Sequence, residues 1–138
     1  MGVNLYMEEE DGTRLVEVLD PQGYVGTIVS LAGNENTVSL RFIDPYGDTV
    51  FNQLQIPVLI RELEAARGLL TEERVAQLGQ HMLESAKRAK WAPTVIESIE
   101  SSNRTLSASE IRAHLERVLD LARRAEGEMH TYLKFSGD

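Results

Sequence analysis

The chain has 138 residues, 42% hydrophobic and 26% charged, a composition that excludes global disorder and suits one domain over 1–138. Fourteen Lys and Arg against 22 Asp and Glu leave a net charge of −8, which excludes a general binder of nucleic acid or anionic membrane, since both need a basic surface. Cysteine is absent, so disulfides, thiolate nucleophiles and Cys-ligated metals are excluded as well.

No apolar run is long enough to span a bilayer. The first residues, MGVNLYMEEED, lack the basic and apolar regions of an export signal, and Tyr6 stands where a myristoylation signal prefers Ser or Thr. A cytoplasmic protein without membrane attachment is therefore expected. The charge is uneven: residues 1–60 hold nine acids against two bases, and residues 61–138 are nearly balanced. Acidic turns keep a β-rich segment soluble and discourage edge pairing. They equally offer a docking face, with Glu8, Glu9, Glu10 and Asp11 as its densest run, to a basic protein.

In chain order, Val3, Leu5 and Met7 alternate with polar residues at the period of a strand, and Glu10-Asp11-Gly12 signals a tight turn. A second strand is expected at 14–19, a type I turn at Asp20-Pro21-Gln22-Gly23, a third strand at 24–31 and a fourth at 37–43. Asp44-Pro45-Tyr46-Gly47-Asp48 reads as a further turn and 49–51 as a short fifth strand. Short connections between successive strands predict an antiparallel meander of four or five strands over 1–51.

From residue 52 onward the period becomes helical. Pro57 suits a first helical position, and a helix is predicted at 57–67; Asn52 with Gln55 offers an earlier cap. Thr71 caps the next helix, with Leu70 and Val75 as its staple. The stripe Val75, Leu78, Met82, Ser85, Ala89, Ala92, Ile96, Ile99 keeps phase through Pro93, which predicts one helix over 72–101 bent at that proline. Ser107 and Glu110 form a capping box for a last helix over 108–133, in which Gly127 is a weak point of about 1 kcal/mol.

These elements predict an α+β fold whose last two helices form a long antiparallel hairpin, with Ala86 and Ala89 facing Ala122 and Ala125. Each helix would be about 40–45 Å long, more than one small domain covers. A second copy is therefore expected against Met82, Ala86, Ala89, Leu115, Ala122 and Met129.

Catalytic signals are sparse. His81, His114 and His130 each lie near a glutamate or glutamine at helical spacing, which reads as solvent-side pairs; none converges with the three ligands that a metal needs. Asp44, Tyr46, Asp48 and Asn52 gather two carboxylates, a phenol and an amide within nine residues, and are the first choice for a ligand site. The same residue types also end strands. Lys87-Arg88-Ala89-Lys90-Trp91 reads as a solvated basic face beside a half-buried tryptophan. Tyr132, Leu133 and Phe135 read as anchors of the last helix.

The stretches DPYGDTVFN (44–52) and YLKFSGD (132–138) resemble segments of small uncharacterised bacterial proteins. The resemblance covers these residues alone and implies no activity; at most it gives the turn a role in joining sheet, first helix and C-terminal segment.

The sequence is thus expected to encode a non-catalytic acidic protein-binding or accessory protein of the immunity or adaptor kind. It is expected to be homodimeric, with no cofactor and no metal. The alternative is a small hydrolase-like enzyme or small-ligand-binding domain at Asp44, Tyr46, Asp48 and Asn52.

Overall fold

Alternation at the start of the chain does what its period dictates. In the computed structural model, which describes residues 2–137, β1 (Val3–Glu9) turns Val3, Leu5 and Met7 inward against the helices. On its opposite face Tyr6 is covered by the Arg14 guanidinium, 3.8 Å above its ring. Met1 and Asp138, the latter ending the second resembling stretch, lie outside the described residues. A tight turn with Gly12 at φ 86° leads into β2 (Arg14–Val18), which pairs antiparallel with β1.

The remaining elements are α1 (Tyr24–Ala32), β3 (Asp48–Phe51), α2 (Ile56–Leu69), α3 (Glu72–Arg88), α4 (Pro93–Thr105), α5 (Ala108–Gly127) and β4 (Thr131–Gly137). Among the described residues the fold is α+β, with five helices and one four-stranded antiparallel sheet of order β2-β1-β4-β3. The expected meander over 1–51 is corrected, because a strand from the far end of the chain lies between β1 and β3.

Two expected strands are not strands. Residues 24–31 form α1, in which Val25, Ile28 and Ala32 follow the helical period and are buried. Its β-branched residues favour strands only weakly, and burial of that face overrides the preference. Residues 37–43 are irregular apart from one 3-10 turn at Leu40–Phe42, because amides at the start of the segment are claimed elsewhere. The N–H groups of Val38, Ser39 and Leu40 all donate to the Glu62 carboxylate on α2, at 2.5–3.2 Å. A segment whose donors are already satisfied has no ladder to offer a neighbour.

The long helix over 72–101 is corrected as well. Thr71 caps α3 through the Arg74 N–H, as its position predicts. The helix then ends in a Schellman motif: the backbone N–H of Trp91 donates to Ala86 O, that of Lys90 donates to Lys87 O, and Lys90 adopts φ 56°. Pro93 forces Ala92 into an extended conformation and starts α4. The two halves fold back on each other as a hairpin. Asn103 Nδ2 donates to Gly79 O across this contact, where a Cβ on residue 79 would stand 2.8 Å from Asn103 Oδ1.

The last helix stops at Gly127, and the chain reverses through His130 at φ 63° into β4. Its final carbonyls are met by side chains from outside the helix. Gln53 Nε2 donates toward Ala125 O, Glu128 O and Thr131 O at 2.8–3.1 Å, and Thr131 Oγ1 donates to Glu128 O at 2.7 Å. Leu133 and Phe135 therefore do not anchor a helix; they are inward residues of a central strand, and Phe135 meets Phe51 edge-on at 5.7 Å. Such a ring pair adds about 0.5–1.5 kcal/mol beyond its burial. The expected capping box is absent: Ser107 Oγ bonds Ser109 Oγ, and the Ala108 N–H is taken by Glu72 Oε1.

α5 buries Ile111, Leu115, Val118, Ala122 and Ala125, and packs along α2 and over the sheet rather than against α3. The long hairpin that was to align Ala86 with Ala122 is thus replaced by a shorter α3–α4 hairpin. Gln53→Ala should remove the outside donor at the end of α5 and lower stability by about 1–2 kcal/mol. Urea unfolding checks this as a shifted midpoint at unchanged slope.

Candidate functional site

The DPYGDTVFN turn is built by its own polar groups. Asp44 Oδ1 accepts the Tyr46 N–H at 2.8 Å, and Thr49 Oγ1 accepts the Asp44 N–H while donating to Phe42 O. Asp48 accepts from Ser136 Oγ at 2.7 Å and pairs with Lys134 at 3.0 Å; the serine bond first, then the lysine, holds its carboxyl below the ordinary range. Asn52 Oδ1 accepts the Leu54 and Gln55 N–H groups, and Gln55 Oε1 accepts that of Asn52 at 2.9 Å, a capping arrangement leading into α2.

All four residues are exposed, Tyr46 at 73%. Asp44, Tyr46 and Asp48 line none of the five principal clefts, while Asn52 borders a small one of about 180 Å³ beside His130 and Tyr132. The structure brings the two resembling stretches together as neighbours, β3 on β4, with Asp48 opposite Ser136 and Phe51 opposite Leu133. Gly137 closes this contact: its N–H donates to Gly47 O, and a Cβ there would stand 2.2 Å from Pro45 O.

The acidic run spans the end of β1 and the β1–β2 turn and is largely engaged. Glu8 pairs with Arg14 at 3.4 Å, Glu10 meets His130 Nδ1 at 3.0 Å, and Asp11 accepts from Thr13, whose hydrogen bonds hold the Asp11 carboxyl below its usual value. Glu9 is exposed. Glu9, Glu10 and Asp11, with Met129 and His130, border an open cleft of about 480 Å³. Among the described residues, no group of three or more His, Asp or Glu is placed to hold a metal ion.

A buried polar pair was not visible in the sequence. Asp20, 1% exposed, accepts the N–H groups of Val3, Tyr24 and Val25 at 2.7–3.2 Å, tying the start of β1 to the first turn of α1. His114 of α5, expected on a solvent face, is 2% exposed. Arg117 approaches its Nδ1 at 3.4 Å, which leaves Nε2 on the side of Asp20. That atom is 3.7 Å from Asp20 Oδ1 and makes no hydrogen bond. Glu110, the glutamate four residues before His114, accepts the Tyr24 hydroxyl at 2.8 Å, and burial together with that carboxylate raises the Tyr24 pKa. Burial pushes the His114 imidazole below its ordinary value, Asp20 pulls it up and Arg117 pushes it further down.

The six residues expected at a self-association surface do not share one. Leu115, Ala122 and Ala86 are wholly buried within the chain. Met82 and Met129 are exposed at 49% and 81%, on α3 and after α5 respectively, and Ala89 caps α3. Apolar surface is found elsewhere, at the tip of the α3–α4 hairpin, where Trp91 is 52% and Val95 42% exposed. α4 contains no buried residue. Lys87, Arg88 and Lys90 surround this tip, and no ion pair among the described residues engages them.

Neither a family model, nor a curated protein, nor a solved structure matches the chain.

The buried pair sets a pH dependence. The unfolded chain binds a proton at His114 near pH 6.5, whereas the folded chain resists it until a lower pH. Stability should therefore rise with pH through about 6.5 and fall on acidification, at no more than about 1.4 kcal/mol per pH unit. Urea unfolding across this range should show the slope, and His114→Leu should flatten it. Asp20→Ala should cost about 3 kcal/mol or more, since it strands three backbone donors. A midpoint shift under 1 kcal/mol, on the order of one ordinary hydrogen bond, would contradict that role.

Proposed function

We propose that this chain is a non-catalytic protein-binding protein of accessory type that associates with a second copy of itself through the tip of the α3–α4 hairpin. One observation carries the reading: a helix with no buried residue presents an exposed Val95, after a half-exposed Trp91 that follows three exposed cations held in no ion pair among the described residues. Tryptophan and arginine are the residues most enriched where binding energy concentrates. The complementary surface is on the same molecule, because residues 1–60 carry nine acids against two bases. Two copies related by a twofold axis place the basic tip of each against the acidic β1–β2 turn of the other, and such a contact closes on itself.

The enzyme reading at Asp44, Tyr46, Asp48 and Asn52 draws no comparable support. Its carboxylates are committed to a turn and a strand pair, and its side chains face solvent.

Sedimentation equilibrium tests the proposal. At micromolar concentration and low salt the mass should approach twice 15.4 kDa, and high salt should return it toward 15.4 kDa. Reversing Lys87, Arg88 and Lys90 to Glu should give monomers, as should reversing Glu9, Glu10 and Asp11 to Lys. Mixing the two variants should restore the dimer, since each tip then meets a turn of opposite sign. A monomer under every condition, or a dimer indifferent to both reversals, overturns the reading.

A further inference from the structure

A further cleft runs along α2 at the edge of its core stripe, which it meets at Ala66, and belongs to none of the surfaces described above. It is a groove of about 550 Å³ between α2 and the segment following α1. That size falls within the range of about 300–1,000 Å³ common to small-molecule sites. Val58, Ala65, Ala66 and Leu69 of α2 line one wall, and Ala32 lies opposite. From residue 58 to 69 the helix advances about 16 Å. Small side chains at 32, 65 and 66 keep this length open.

The polar lining is divided between spent and available groups. The Glu62 carboxylate is spent, because three successive backbone amides (38, 39 and 40) donate to it. Thr37 Oγ1 is spent on Gly33 O. Arg61 is exposed on the rim, and no hydrogen bond or ion pair among the described residues engages it. Asn36 also contributes to the lining. An apolar trough with one uncommitted guanidinium at its edge is complementary to an apolar chain with one anionic end.

We propose that this groove binds a medium-chain carboxylate, its acyl chain along Val58, Ala65 and Leu69 and its carboxylate on Arg61. The site is separate from the hairpin tip and does not depend on the proposed self-association.

The test uses decanoate, below its micelle concentration, as the probe for calorimetry and for backbone-amide NMR of the whole chain. Amides at 32, 36, 37, 65 and 69 should shift together. Affinity should rise about fourfold per methylene from hexanoate to decanoate, the increment for burying one CH₂. Arg61→Gln should weaken decanoate about tenfold while leaving decanol unchanged, as loss of one charge-assisted contact requires. Ala65→Trp, at an exposed position that leaves the core untouched, should abolish binding of both. Absence of these shifts, shifts centred on the hairpin tip, affinity independent of chain length, or indifference to both substitutions would each overturn the proposal.

Discussion

A single carboxylate holds the two halves of the architecture in register. Asp20 is buried and accepts one amide from the first residue of β1 and two from the first turn of α1. Its own N–H donates to Asn4 Oδ1 at 2.8 Å, so strand and helix are bound from both directions. A buried carboxylate is tolerated only when its lone pairs are met, and here backbone donors meet them. The arrangement fixes where the helical layer starts relative to the sheet. It also gives His114 its setting, since the imidazole is held beside a charge it does not reach.

The hydrophobic periods identified several elements and mistook others for physical reasons. Val3, Leu5 and Met7 form the strand their alternation announces, and Thr71 caps the helix it precedes. The α+β class followed from that contrast of periods. Residues 24–31 were ambiguous because Val25, Ile28, Val29 and Ala32 fit a helical face, while their β-branched chemistry suggests a strand. The deciding interaction, the Asp20 cap, joins a turn to amides that composition does not flag. Residues 131–137 carried a readable period of two in Thr131, Leu133, Phe135, masked by the heptad spacing inherited from α5. At Pro93 phase was a poor witness, because a hairpin of two amphipathic helices preserves it as well as a bend does.

Site residues were legible by chemistry but not by role. Asp44, Asp48 and Asn52 do cluster along the chain, yet the structure spends them on a turn, a strand pair and a helix start. Groups left without partners were harder to see in the sequence, since partnership is a property of the fold. Arg61 is one of eleven arginines, and only the hydrogen bonding of Glu62 to three backbone amides distinguishes its surroundings. The basic run at 87–91 was legible as a charged face; its position at the end of a hairpin, with no ion pair, was not.

The placement of β4 has a consequence for how the chain acquires its shape. Val3 pairs with Gly137 and Glu9 with Thr131, so the central ladder joins the most distant parts of the sequence. During synthesis β1 has only β2 as a neighbour until nearly all the helical segment has emerged, and two-stranded ribbons are marginal alone. The inward row of Val3, Leu5 and Met7 is then open to solvent and to chaperones. Closure of so long a loop makes slow, late sheet completion the expected folding order, with the helices formed first and the sheet zipped last.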